Sequence, residues 1–272
     1  MANHLVSERL MVLEIELPVP LSFLPGQFAM INFTGSDELV FSRPFSILAA
    51  EQHRVSFLYR VVGRGTARMA RLEAGDPVIF LGPLGNPFPP PPADFPVILL
   101  AGGVGLPPLL AWLNRYGRSQ DTAFFGGRDG ADVPWGLLNS DWRISVDRPD
   151  GVPAVRSAFT GVVTDCCRDW LVKASRGTQP CHLLACGPLP LLQAANVLAH
   201  EFGWPCLVSV EEHMGCGYGV CRGCVIPAEG GGHLTACQDG PVVAADRIDW
   251  RSFARTTALP TGSGDSGKGG GG

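Results

Sequence analysis

Four cysteines near the end of the sequence, Cys216, Cys221, Cys224 and Cys237, follow the spacing C-x4-C-x2-C-x12-C. Thiolates are soft ligands, and the first three stand at the spacing of a loop that wraps one iron pair of a 2Fe–2S cluster. Gly215, Gly217, Gly219 and Gly223 let the backbone approach closely and aim N–H groups at sulfur. Structural zinc also takes four cysteines, although it favours two separated C-x2-C knuckles; free thiols are the third reading. His213 and His233 read as loop histidines, because four cysteines already complete a ligand set. Cys166, Cys167, Cys181, Cys186 and Cys206 lie in apolar surroundings and read mostly as small buried hydrophobes. Nine cysteines is an odd number, and a secreted disulfide framework is not expected.

A second set of residues has the chemistry of nucleotide binding. Arg43, Pro44, Phe45 and Ser46 open a strand, and alternation is read as placing Arg43 and Ser46 on one side, where they would hold a pyrophosphate. Leu58, Tyr59 and Arg60 lie on another strand, and Gly65 and Thr66 form a turn whose N–H groups would cap a phosphate. Gly102, Gly103 and Gly105 follow a buried strand and open a helix, a common dinucleotide site. Cys186, Gly187 and Pro188 end a second apolar strand, so the two turns read as the sides of a nicotinamide crevice. Cys186 reads equally as a buried thiol without chemistry. Arg128 reads as a solvated loop arginine, with a ribose or 2′-phosphate contact as the alternative. Gly262, Gly267 and Lys268 imitate a phosphate-binding loop, but Gly269 stands where Ser or Thr is needed.

Two kinds of chain must position these groups. Short apolar runs at residues 10–17, 28–33, 46–49, 55–62 and 77–81, separated by Gly and Pro, predict a small β-barrel. The proline-rich run at residues 87–96 is a stiff linker. Beyond it, strands at 97–100, 122–125, 144–146 and 182–185 alternate with helices at 109–116, 162–174 and 189–202, the pattern of a parallel sheet covered on both faces. Residues 207–210 read as one more strand. The expected domains are a barrel over 1–92, an α/β domain over 93–206, a cluster subdomain over 207–255 and a disordered Gly-rich tail over 256–272. The 272 residues are 46% hydrophobic and 17% charged with net charge −4, which excludes global disorder and gives no basic excess for nucleic acid or an anionic membrane. Residues 95–113 carry no charge, yet six Gly and Pro residues break the run, so a membrane span is not expected. The first residues lack an export-signal pattern, and the expected location is the cytoplasm.

In order, RPFSI, LYRVVGRGT, GPLGNPF, GGVGLPPL, CGP, EEHMGCGYGVCRGC and CQDGP resemble the iron–sulfur flavoprotein electron-transfer subunit of class 1B dihydroorotate dehydrogenase, a branch of the ferredoxin–NADP reductase superfamily. The resemblance spans about residues 10–250. It implies FAD on the barrel, held by Arg43, Pro44, Phe45, Ser46, Leu58, Tyr59, Arg60, Gly65 and Thr66. It implies NAD near Gly102, Gly103, Gly105, Cys186, Gly187 and Pro188, and a 2Fe–2S cluster on the four late cysteines. It implies a heterotetramer with an FMN-containing catalytic subunit that oxidises dihydroorotate in pyrimidine biosynthesis, so no acid–base residue is assigned here. Two positions depart from the family pattern: Ala101 and Pro87 stand where glycines are expected. Rival readings are a reductase subunit of a hydrogenase, sulfite reductase or other oxidoreductase, a stand-alone NADH–ferredoxin reductase, and a zinc-stabilised binding module.

Overall fold

Residues 2–33, 42–174 and 179–257 are described by the computed structural model of the protein. The first unit contains β1 (Ala2–Leu5), β2 (Met11–Glu16), β3 (Phe28–Phe33), β4 (Arg43–Glu51), β5 (Arg54–Tyr59), helix α1 (Arg64–Met69) and β6 (Val78–Leu84). Its six strands are antiparallel in the order β1-β2-β5-β4-β3-β6. Strand alternation sorts the side chains into separate cores. Leu13, Ile15, Ala29, Ile31, Ile47, Val55, Phe57 and Tyr59 fill the interior. Val12, Leu48 and Leu58 point outward into the core of the second unit, while Phe28 and Met30 point outward toward the cysteine-rich segment.

The second unit contains β7 (Val97–Gly102), α2 (Leu106–Tyr116), β8 (Thr122–Gly127), β9 (Trp142–Val146), β10 (Phe159–Thr160), α3 (Val163–Lys173), β11 (His182–Cys186), α4 (Leu189–Phe202) and β12 (Cys206–Ser209). Adjacent strands from β10 through β12 are parallel. Val97, Leu99 and Ala101 face the barrel side with α2, whereas Ile98 and Leu100 face α3 and α4. Both faces are covered, which explains the unbroken apolar run in β7. A 3-10 turn at Gly103–Gly105 then separates β7 from α2, so the uncharged stretch at 95–113 is divided between a strand and a helix. No helix among the described residues is long and apolar enough to cross a membrane.

The last segment forms β13 (Val225–Pro227), β14 (His233–Thr235), β15 (Val242–Ala244) and α5 (Trp250–Thr257). The sheet order is β10-β9-β8-β7-β11-β12-β15, with β15 antiparallel to β12. The expected boundary at 206–207 therefore falls inside β12, because the sheet needs this strand to accept β15. Helix α5 likewise runs two residues past the expected start of the tail; residues 258–272, with the Gly262–Lys268 imitation, lie outside the described residues. Cys166, Cys167 and Cys181 sit in the core beside α3 and α4, and burial pushes Cys166 up to about 11 and Cys167 up to about 12.

Candidate functional site

A cavity of about 810 Å³ lies between barrel and second unit, and every barrel residue singled out in the sequence borders it: Arg43, Pro44, Phe45, Ser46, Leu58, Tyr59, Arg60, Gly65 and Thr66. Their side chains are used differently. Phe45 packs edge-on against Phe57 and Tyr59, with ring centroids 6.5 and 6.4 Å apart, so it faces the barrel interior. Tyr59 is buried too, and its hydroxyl donates to Asn3 Oδ1 at 2.8 Å. Arg43 and Ser46 are three residues apart, so alternation does not give them one face, contrary to expectation. Arg43 instead crosses over Gly65: a Cβ there would run into its guanidinium. Gly65 and Thr66, expected in a turn, lie instead in the first turn of α1, where Thr66 Oγ1 accepts the N–H groups of Val62 and Gly63 at 2.9 and 3.2 Å and braces the helix entry. A larger groove of about 1260 Å³, bordered by Arg118, Asp121 and Trp142, contains none of the expected site residues.

The nicotinamide turns meet at a reversal of strand order. From β7 the chain moves outward through β8, β9 and β10, then returns to place β11 on the other side of β7. Open α/β sheets bind ligands beyond the carboxyl ends of strands at such a switch point. Cys186 pairs with Ala101, so the turns after β11 and β7 start side by side. A Cβ at Gly105 would strike the Cys186 carbonyl and the Gly187 nitrogen; Gly187, at φ +156°, lies against the Gly102 backbone. Gly103, at φ +54°, has open space where a side chain would be. Ala101 is fully buried within β7, so its methyl is accommodated. Only Cys186 of this group borders the cavity. Burial pushes its thiol well up, which keeps it protonated.

The cluster cysteines stand as two pairs. Cys221 N–H donates to Cys216 Sγ at 3.4 Å; the Cys224 and Cys237 sulfurs are 3.3 Å apart, and Cys237 N–H donates to Cys224 Sγ at 3.4 Å. Two thiolates per iron is what a two-iron cluster requires. Among the described residues, no three His, Cys, Asp or Glu side chains form a group placed to hold a metal ion. The N–H of Cys221, with those of Tyr218 and Val220, holds the Cys216 thiol down at about 6, whereas burial and the neighbouring Cys224 push Cys237 up to about 12. Cys224 and Cys237 belong to the apolar core, while Cys221 is exposed. A Cβ at Gly217 would strike Met30, and Asn86 donates to Gln238 O at 3.1 Å, so barrel and cluster segment grip each other. The soft thiol donors and their two-and-two pairing fit a 2Fe–2S cluster.

A charge network joins the two units. Arg9 Nη1 contacts Asp129 at 2.9 Å and Asp132 at 3.0 Å, Arg60 contacts Asp132 at 2.9 Å, and Arg148 contacts Asp129 at 3.0 Å. Burial alone would raise the Asp129 carboxyl, but Arg9, the Ala131 N–H and Arg148 outweigh it and hold the group below its ordinary range. A carboxyl depressed in the fold stabilises above its ordinary value and stops doing so as pH falls through the depressed one. The melting-temperature gap between the protein and Asp129→Asn is therefore expected to be full near neutrality and to close as pH drops from about 5 toward 3. A gap independent of pH would contradict this.

Several cavity residues escaped the sequence reading. Val104, Ser209, Val210, Glu211, His213 and Met214 all border it. Glu211 stands at the cavity's exposed rim. Only the position of EEHM directly before the first cysteine hinted at this. Arg128 is exposed, as expected, and its N–H donates to Asp132 Oδ2 at 3.2 Å.

Comparison with known proteins agrees with this geometry. Residues 211–249 match the family model of the iron-sulfur cluster binding domain of dihydroorotate dehydrogenase B. The dihydroorotate dehydrogenase B (NAD(+)) electron transfer subunit of Shouchella clausii is 35% identical, over 88% of this chain and 91% of its own. The Geobacillus kaustophilus subunit is 33% identical, over 82% of this chain and 86% of its own. Among solved structures, that of an NADH-dependent reduced ferredoxin-NADP oxidoreductase has a TM-score of 0.76 at 24% identity, covering 94% of this chain and 90% of its own. A Neisseria gonorrhoeae ferredoxin NADP+ reductase with bound FAD and NADP has a TM-score of 0.58 at 15% identity, covering 73% and 87%. Barrel, switch-point sheet and paired cysteines thus coincide with clear sequence kinship, and the chain belongs to the family of dihydroorotate dehydrogenase B electron transfer subunits.

Proposed function

We propose that this chain passes electrons from an FMN-containing, dihydroorotate-oxidising subunit through a 2Fe–2S cluster and FAD to NAD+, in a cytoplasmic heterotetramer serving pyrimidine biosynthesis. One observation carries the reading. The cavity touches the barrel motif, Cys186 at the switch point, and Met214, two residues before Cys216. Flavin, nicotinamide and cluster elements therefore meet around one space.

When bound, the cluster handles single electrons, the nicotinamide a hydride, and the flavin both. The chain's own residues bind, orient and shield. Arg43 supplies positive charge for a pyrophosphate, with the Ser46 hydroxyl as a second polar group at the cavity. Leu58, Val104, Val210 and Met214 give the cavity apolar walls that exclude water. The bare Gly102–Gly105 turn and Gly187 leave room for a nicotinamide at the sheet edge. Cys186, kept protonated, borders that edge without charge. Cys216, Cys221, Cys224 and Cys237 would hold the cluster, with the exposed Cys221 side as the edge open to a docking subunit.

Gly65→Ala is expected to push Arg43 aside and raise the FAD dissociation constant about tenfold, the loss of one charge-assisted hydrogen bond. Fluorescence titration of the flavin-stripped chain measures this, and unchanged affinity would remove Arg43 from the site. Co-expression with the FMN subunit tests the whole reading. A stable complex that forms NADH from NAD+ and dihydroorotate is expected. Failure to associate, or a complex inactive with dihydroorotate, would overturn it.

A further inference from the structure

Asp132 lies in the 3-10 turn Gly130–Asp132 beyond β8, in the second unit, with its side chain only 3% exposed. Its Oδ1 accepts from Arg60 Nη2 at 2.9 Å and from Arg9 Nη1 at 3.0 Å, both arginines coming from the barrel. Its Oδ2 accepts the Arg128 N–H at 3.2 Å. The turn itself is fixed. Gly130 N–H donates to Asp150 O at 2.7 Å, Trp135 Nε1 donates to Gly130 O at 3.1 Å, and a Cβ at Gly130 would collide with the Gly151 backbone. The carboxylate is thus held at a set point from its own side.

Arg60 borders the cavity, and among the described residues Asp132 is its hydrogen-bond partner. A guanidinium is a rigid fork with five N–H donors, so the bond from Arg60 Nη2 to Asp132 Oδ1 narrows where the other donors aim. Arg9 touches the same carboxylate oxygen but does not border the cavity. The two arginines therefore separate a role in joining the units from a role in the cavity.

We propose that Asp132 is a positioning residue for flavin binding: by anchoring Arg60 from the second unit, it aims the remaining donors at FAD and makes correct seating of that unit a condition of tight FAD binding. The inference rests on the reading of the cavity as the FAD site. A side chain held in its bound geometry does not have to be ordered when ligand arrives, and affinity rises accordingly.

The experiment is a double-mutant cycle on the full chain with its cluster in place, reading the FAD dissociation constant by fluorescence titration and the melting temperature without FAD. Asp132→Asn and Arg60→Gln are each expected to weaken FAD about tenfold, and the double variant no more than Arg60→Gln alone, because one interaction is removed once. Arg9→Gln is expected to lower the melting temperature while keeping FAD affinity within about twofold, a split that shared structural damage would not produce. Arg60→Lys keeps charge but loses the fork, and is expected to bind FAD about as weakly as Arg60→Gln; this arm decides the matter if Asp132→Asn fails to fold. Equal losses of FAD affinity in Asp132→Asn and Arg9→Gln, additive losses in the double variant, or near-normal affinity in Arg60→Lys would overturn the positioning role. Unchanged affinity in Arg60→Gln would instead remove Arg60 from the FAD site and the inference with it.

Discussion

Cys224→Ser is expected to strip iron and acid-labile sulfide from the protein to background while its FAD remains. Cys224 is buried, packed in the core, and 3.3 Å from Cys237 across the inner pair. Serine is close in volume, so the fold keeps its shape, but a hydroxyl does not replace a thiolate as a soft ligand. The pair then offers one sulfur where the second iron requires two. Electron delivery from the catalytic subunit should stop, while NADH should still bleach the flavin, because hydride transfer between nicotinamide and flavin does not pass through the cluster. Cys167→Ser is the matched control: it is equally buried, far from the cluster run in sequence, and burial keeps it a neutral thiol. It should retain full iron. Iron assays with visible spectra separate these outcomes, and a Cys224→Ser protein with normal iron would show that the ligand set is wrong.

Gly105→Val should spare iron and flavin but slow flavin reduction by NADH at least about a hundredfold, the scale of loss when reacting groups are misplaced by about an ångström. The new Cβ would land on the Cys186 carbonyl and the Gly187 nitrogen. The carbonyl belongs to Cys186, the last residue of a strand paired on both sides, to Ala101 and to Ser209, and the nitrogen to the turn that follows directly, so neither can withdraw freely. Relief requires the carboxyl ends of β7 and β11 to spread, and that is the edge proposed above for the nicotinamide. Overpacking of this kind costs about 1–3 kcal/mol, which a chain with three apolar cores can bear. Rapid mixing with NADH reads the rate directly. An unchanged rate would move the nicotinamide site away from this turn.

What could be read in the sequence was local. The cysteine run declares itself because a cluster needs short spacings and glycine freedom within one loop. The strand-turn-helix at 97–116 declares itself through an apolar run broken by Gly and Pro. The barrel motifs lie on the lining of one cavity, while of the two sheet turns only Cys186 reaches it. What could not be read depends on distant pairings. Strand β15 lies more than thirty residues beyond β12, and nothing local says that it returns to the same sheet. Arg60 and Asp132 are 72 residues apart, and their contact exists only once the two units are seated. Val210, Glu211 and Met214 border the cavity because the chain leaving β12 passes beneath the barrel, a path no short pattern records. The face reading of Arg43 and Ser46 erred for a simpler reason, a spacing of three in a period-two strand.

Anaerobic purification, with FAD, iron and sulfide assays and a visible spectrum before and after NADH, tests the central claim most directly. One FAD, two irons and two sulfides per chain are expected from the cavity and the cysteine pairs, with flavin and broad iron–sulfur absorption that NADH bleaches. A colourless, folded protein carrying one zinc, or a coloured one that NADH leaves unchanged, would contradict it.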